Sequence, residues 1–308
     1  MTVYFIRKCI TFSLSLFIIA SLTFFLMKML PGDPFCEEQS LRSDMHEALI
    51  HHHGLDNSWF VQYIDYLFDL FHGHLGVSFT YPDRTVDSII KEGFPVSAQL
   101  GLQAFCIALT GGIFFGTLAT LKAHFWQDRC VLIATTVGIS IPSFILAALL
   151  QYSLAIYFPL FPIARWTSAA HTILPSLALA IAPLAFITRL TRTGLLEVLR
   201  SDYIKLARAK GLPLRHWIWL HALPNALVPV ISYLGPLLAN VLVGSFVIEK
   251  IFSVPGLGQW FINSISNRDY ALIMGLTLFY SFILLCAIFV VDLLYGFLDP
   301  RIRVHQKD

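Results

Sequence analysis

Charge is what this sequence is short of. Only 13% of its 308 residues are Asp, Glu, Lys or Arg, about half of the roughly 25% usual in a soluble domain, while 56% are hydrophobic and 26 are Phe. That deficit excludes an ordinary soluble domain, and the chain reads as a membrane protein before any motif is considered. There is no basic block of the kind that engages nucleic acid, and the net charge of +2 means little until the charges are located. Cysteine is also sparse. Cys9, Cys36, Cys106, Cys130 and Cys286 show neither CxxC nor zinc spacing. Four of them lie in or beside apolar runs, which argues for packing rather than a disulfide framework, and Cys36 is the one expected to face an outside compartment. Catalytic signatures are missing as well: no nucleophile elbow and no H-E-x-x-H. The stretch GGIFFGTL (Gly111–Leu118) has P-loop-like glycines but not the lysine, and sits in an apolar run, so its glycines are expected to permit close helix packing. No cofactor or metal site is expected, and no internal repeat occurs.

What is present is a series of long apolar windows. Six approach the roughly 20 residues that cross a bilayer, near 9–30, 96–121, 131–157, 172–188, 226–248 and 271–296. The fourth is the shortest and contains Pro175 and Pro183, which membrane helices tolerate when neighbours satisfy the freed backbone. With the N-terminus inside, fourteen of the 21 Lys and Arg fall in inner segments and six in outer ones, with Lys28 at the outer edge of the first span. That bias predicts both termini in the cytoplasm. The first run is too long for a signal-peptide core and no clear A-x-A site follows, so it reads as a retained helix ended by PGDP (Pro31–Pro34). The expected fold is an all-α integral membrane protein of about six spans. Its expected organisation is a first helix with an outward-facing loop over 1–95, a five-helix core over 96–300 with an inner loop at 189–225, and a cytoplasmic tail at 301–308. The outer loop carries HHH (His51–His53) and HGH (His72–His74), residues able to bind a transition metal but without a visible further ligand set, so a solvated loop is the simpler reading.

The inner loop is the informative segment. Leu195, Leu199, Tyr203 and Leu206 recur at helical spacing, predicting one amphipathic helix from Gly194 to Lys210. Gly211 breaks it, Pro213 opens the next turn, and LRHWIWLHAL makes a second helix running to Pro224. Physical reading alone leaves two alternatives, a hairpin lying on the inner leaflet with Trp217 and Trp219 at the interface, or a docking element for a cytoplasmic partner.

KLARAKGLPLRHWIWLHALPNAL resembles the EAA loop of the inner-membrane permease subunits of binding-protein-dependent ABC importers, whose pattern is EAA, three residues, Gly, nine residues and I-x-L-P. Ala207 falls on the second Ala, Gly211 on the Gly, and Leu223 and Pro224 on the closing positions. Lys205, Leu206 and His221 depart from it in the manner of the dipeptide and oligopeptide branch, B-type. LPGDP (Leu30–Pro34), GLDNSWFVQY (Gly54–Tyr63, with Ser58 for the usual Pro) and HGHLGVS (His72–Ser78, with His74 for the usual Asp) also resemble that branch. So do EKIFSVPGLGQWFINSISNRDYALIMG (Glu249–Gly275) and DLLYGFLDPRIR (Asp292–Arg303), five motifs in order across the chain.

The resemblance implies a type I ABC importer fold and a permease that is not itself an enzyme. Its implied partners are a second similar permease, two cytoplasmic ATPase subunits and an external binding protein. The implied coupling residues are Tyr203, Lys205, Ala207, Arg208, Ala209, Lys210, Gly211, Leu223 and Pro224, with small Ala207 and Ala209 allowing close approach and Arg208 and Lys210 facing acidic groups of the ATPase. Peptides are the implied substrate, with nickel or another small solute as the alternative within the family. A self-driven ion-coupled carrier is the rival class, but it would place ionisable residues deep in the spans. Asp292, near the inner end of the last span, is the exception there and is expected to cap packing or pair with Arg301 or Arg303 rather than relay protons. Gln99, Gln103, Gln151 and Asn240 are candidate pathway-lining residues, or else interhelical hydrogen-bonding ones.

Overall fold

A computed structural model describes residues 2–30, 50–51, 54–81, 83–242 and 246–298, with side chains from 5 to 290 within that range. PGDP, Cys36, His52, His53, the charged tail and the side chain of Asp292 lie outside it. The described residues are helical apart from turns and an isolated antiparallel bridge between Val77 and Thr85. Cys9, Cys106, Cys130 and Cys286 are free thiols.

In chain order the helices are α1 (Thr2–Met29), α2 (Trp59–Phe71), α3 (Val86–Leu121), α4 (Trp126–Ser140), α5 (Ser143–Gln151, extended by a π turn over Tyr152–Tyr157) and α6 (Ala169–Val198). They continue with α7 (Asp202–Ala209), α8 (Leu214–Trp217), a π turn at Ile218–Ala222, α9 (Leu223–Ala226), α10 (Val228–Leu242), α11 (Phe246–Ile251), α12 (Leu257–Ser266) and α13 (Tyr270–Leu298). Among the described residues, five stretches are long and apolar enough to cross a membrane: Phe5–Met29, Val86–Leu121, Ala169–Val198, Val228–Ile251 and Tyr270–Val290.

The remaining predicted span, 131–157, is not straight. α4 and α5 meet at an angle of 106°, because Pro142 lacks an amide donor and holds Ile141 in the extended region at ψ 124°. Neither arm alone reaches the roughly 30 Å of a hydrocarbon core. The span predicted as shortest is instead a helix of 30 residues with Pro175 and Pro183 inside it.

The chain forms two compact units, Met1–Val96 with Gly256–Leu285, and Ser97–Pro255 with Cys286–Asp308. In the second unit, Ala104, Ala108, Gly112 and Gly116 recur every four residues along α3, giving one smooth stripe. Ala104 and Ala108 pack with Ala180 and Ile187 of α6 and Val230, Leu237 and Val241 of α10. At Gly112 and Gly116 the approach is closer still, since an added Cβ would lie 2.6 Å from Ile187 and from Thr191 respectively. The packing role expected for these glycines is therefore observed, as small residues let membrane helices gain dispersion contact where lipid offers no hydrophobic driving force.

In the first unit, two motifs about 190 residues apart meet. Asp269, fully buried, precedes α13 and accepts the Leu272 amide at 3.0 Å. It also accepts the Ser78 hydroxyl and the amides of Phe79 and Thr80 at 3.2 and 3.3 Å. One carboxylate thus caps a helix and pins the outer loop. Beside it Trp260 packs edge-on against Tyr81 and under the Arg84 guanidinium.

Two outcomes are expected for the thermal midpoint of the purified protein in detergent. Gly116→Val overpacks the α3–α6 contact and lowers stability by about 1–3 kcal/mol. Asp269→Ala leaves buried donors without an acceptor, at about 1–3 kcal/mol each, and lowers the midpoint more than Asp269→Asn, which keeps one acceptor oxygen.

Candidate coupling hairpin on the inner side

The helix predicted over Gly194–Lys210 is interrupted. α6 stops at Val198, Leu199 and Arg200 turn, and Ser201 in an extended conformation starts α7. Ser followed by Asp in the first turn is a helix-start signal, and it resets the register. Leu195 is buried, Tyr203 and Leu206 are 46% and 56% exposed, and Ile204 and Ala207 point inward. The single continuous helix predicted from Gly194 to Lys210 is therefore corrected to two helices, and Tyr203 and Leu206 lie on the outer face of α7.

At the end of α7, Gly211 has φ +74°. Its amide donates to the Arg208 carbonyl at 2.9 Å, and the Leu212 amide donates to the Ala207 carbonyl at 3.3 Å, the two bonds of a Schellman cap. The role expected for Gly211 is met by backbone conformation, since a Cβ there would meet nothing within 4 Å. Pro213 then precedes α8. The π turn at Ile218–Ala222 widens the helix just before Pro224, whose ring in a regular α-helix would collide with the Leu220 carbonyl.

The two arms enclose a small core of Leu195, Ile204, Ala207, Trp217, Ile218, Ala222, Leu223 and Ala226, with Ile113 of α3, Val198 and Leu212 against it. The hairpin thus shares its core with two membrane helices. Gly194 of α6 lies so close to α9 that a Cβ would stand 2.5 Å from the Ala226 carbonyl oxygen. Trp217 is buried, not interfacial, and the Arg208 guanidinium stacks on it 4.4 Å from the ring centroid. Trp219 is 61% exposed.

Of the coupling candidates, Ala207 and Leu223 are internal, while Tyr203, Lys205, Arg208, Ala209, Lys210, Gly211 and Pro224 are exposed. The closeness that Ala207 allows is within the hairpin itself. Lys205 Nζ lies 2.8 Å from Asp202 Oδ1, and that hydrogen bond holds the Asp202 carboxyl below the usual range. Exposed Leu214 and Leu220 add to the apolar outer surface.

Gln103 accepts the Ser176 hydroxyl at 2.9 Å, and Gln151 donates to the Ile163 carbonyl at 2.8 Å. Gln99 and Asn240 are exposed. Of the outer histidines, His72 Nδ1 lies 2.8 Å from the Phe68 carbonyl oxygen and His51 lies 3.9 Å from Asp56. Among the described residues no group of three or more metal-ligating side chains comes together.

Charge reasoning counted Arg192 only as an inner cation. It forms a two-point contact with buried Asp128, at 2.7 and 2.8 Å, and Asp128 also accepts the His124 amide at 3.1 Å, tying the α3–α4 turn to α6. A second missed carboxylate, Glu249 in α11, is fully buried and accepts the Ser97 hydroxyl at 2.9 Å. Neither pairing has a short-range sequence signal.

Residues 112–304 match the family described as binding-protein-dependent transport system inner membrane component, and residues 1–101 match its N-terminal region. The chain belongs to that family. It is 46% identical to the dipeptide transport system permease protein DppB of Bacillus subtilis over 99% of both chains. It is 40% identical to the oligopeptide transport system permease protein OppB of Salmonella typhimurium, over 97% of this chain and 99% of that one. Among solved structures, an amino acid ABC transporter crystallised with histidines superposes with a TM-score of 0.54 at 18% identity, covering 69% of this chain and 95% of that one. An inward-facing methionine ABC transporter gives 0.50 at 16%, covering 68% and 93%. The fold is thus that of type I ABC importer permeases, and the permease resides in the inner membrane as a multi-pass component of a binding-protein-dependent system. Membership implies a binding protein and an ATPase as partners, with ATP hydrolysis outside this chain.

A conformational test of the hairpin follows from the φ of Gly211. A non-glycine residue there pays about 1–2 kcal/mol, and Asn adopts this region far more readily than a β-branched residue. Gly211→Val is expected to speed amide hydrogen exchange across residues 202–217, while Gly211→Asn stays close to the unsubstituted protein.

Proposed function

We propose that this permease lines the translocation pathway of an ATP-driven importer of di- and oligopeptides, and that Ser201–Ala226 is the lever through which ATPase subunits drive it. The observation that carries the proposal is the two-sided hairpin. Its inner side is one apolar core continuous with α3 and α6, and its outer side presents Tyr203 and Leu206, both exposed. A rigid element anchored to two membrane helices, with an uncovered apolar and basic face, can convert movement of a cytoplasmic partner into movement of the spans.

In this scheme Tyr203, Leu206, Ala209 and Lys210 touch the ATPase groove, with Lys205 and Pro224 at its margins. Ala207, Leu223 and the Arg208–Trp217 stack keep the arms together, and Gly211 sets the angle between them. ATP binding closes the ATPase pair, which favours one arrangement of the membrane helices over the other, and the size of the shift is set by that differential affinity. A second, homologous permease completes the pathway, two ATPase subunits drive it, and the external binding protein selects and delivers peptide. Peptide as cargo rests on the names of relatives 40–46% identical to this chain.

The test is reconstitution of the complete transporter, purified through a tag on this chain, into liposomes with its binding protein. Peptide is expected to stimulate ATP hydrolysis and to accumulate on the side of the ATPases. Gly211→Val is expected to lower uptake several-fold while the complex remains assembled. A chain that purifies alone and moves solute down an ion gradient would overturn the proposal. Stimulation by nickel instead of peptide would overturn the substrate assignment alone.

A further inference from the structure

Helix α2 has three faces. Tyr63 and Tyr66 point to α1: the Tyr63 hydroxyl is 2.6 Å from Ser21 Oγ, its ring packs on Phe24 and Phe25, and Tyr66 stacks on Phe24 at 5.6 Å. Asp65 and Asp69 form a narrow exposed acidic edge. Between that edge and the α1 contact lies a broad third face of Phe60, Val61, Ile64, Phe68 and Phe71, 43–83% exposed. Placed at 100° per residue, these five occupy one continuous arc of about 100°, while the acidic edge is confined to a separate, narrower arc.

Depth decides what covers this face. The α1 residues that hold α2 are Ser21, Phe24, Phe25 and Lys28, the last bonded to Gln62. They occupy the final two and a half turns of an apolar span that ends at Met29, so α2 is attached within about 12 Å of the end of that span. On the same turns Leu22, Leu26 and Met29 are themselves 50–72% exposed, forming the lipid-facing side of a spanning helix. A helix fixed at that level, with apolar side chains on two flanks and charge along one edge, fits the boundary between headgroups and acyl chains, where amphipathic helices bury their apolar face by about 5–10 Å.

We infer that α2 is an interfacial helix seated in the leaflet opposite the N-terminus, with Phe60, Ile64, Phe68 and Phe71 among lipid and Asp65 and Asp69 toward water. The acidic edge makes attraction to anionic headgroups unfavourable, so insertion is driven by apolar area. The lipid anchors the junction between α1 and the outer loop without a protein partner.

The assembled transporter, with the native cysteines replaced and a nitroxide attached at Phe60→Cys, Phe68→Cys, Asp65→Cys or Asp69→Cys, is placed in phosphatidylcholine vesicles. The ratio of collision with oxygen to collision with a water-soluble nickel chelate is then read by power saturation. The ratio is expected to be several-fold higher at 60 and 68 than at 65 and 69. Equal nickel access at all four positions would show a hydrated face and overturn the inference. Low access to both reagents at 60 and 68 would show a protein cover, whether residues 31–49 or another subunit, and would overturn it equally. Should the cysteine variants fail to assemble, Phe68→Trp preserves the apolar bulk. Its fluorescence is expected to be quenched by lipids brominated near the headgroup beyond the background of the native tryptophans, and absence of added quenching contradicts the lipid assignment.

Discussion

Helices α3 and α6 approach each other so closely that side chains larger than hydrogen at Gly112 and Gly116 would overlap Ile187 and Thr191, and the rest of the second unit is arranged around that contact. In lipid such an approach has no hydrophobic driving force and depends on packing and interhelical polar contacts. Ala104 and Ala108 extend it toward α10. On the inner side it is continued by Ile113 and Leu195, which belong to the hairpin core, and it is closed by the Arg192–Asp128 pair. The same two helices therefore form the packed centre of the unit and the base of the lever. Displacement of the hairpin must move them or break its core.

The outer side uses a different device. One buried carboxylate, Asp269, gathers three backbone amides and a hydroxyl. A buried carboxylate is tolerable only when its acceptor capacity is filled. Filling it from both the outer loop and the start of α13 holds the loop to that helix.

Much of this was legible in one dimension. Apolar windows located the spans because a bilayer demands uninterrupted helix of a certain length. Composition could not reveal which proline breaks a helix: Pro95, Pro175, Pro183 and Pro236 lie inside helices, whereas Pro142 turns the chain by 106°. At Pro142 the preceding Ile141 is extended, at ψ 124°, and the backbone there leaves the helical region. In the hairpin the Gly211 turn was readable because positive φ selects glycine. The break between α6 and α7 was not read from the apolar spacing, although the Ser201–Asp202 start signal marks it. The Ser78–Asp269 and Asp128–Arg192 contacts had no local signature, and neither did the partners of Gln103 and Gln151.

The central claim is that the outer face of α7 meets the ATPase. Site-directed cross-linking measures it directly, with a photoreactive residue at 206 or at 204 of this chain in the assembled transporter. Strong cross-linking to the ATPase subunit from position 206, changing with ATP, and little from the buried position 204 is the result this account predicts. Cross-linking from 206 to lipid alone, with or without nucleotide, would contradict it and make the hairpin a membrane-surface element.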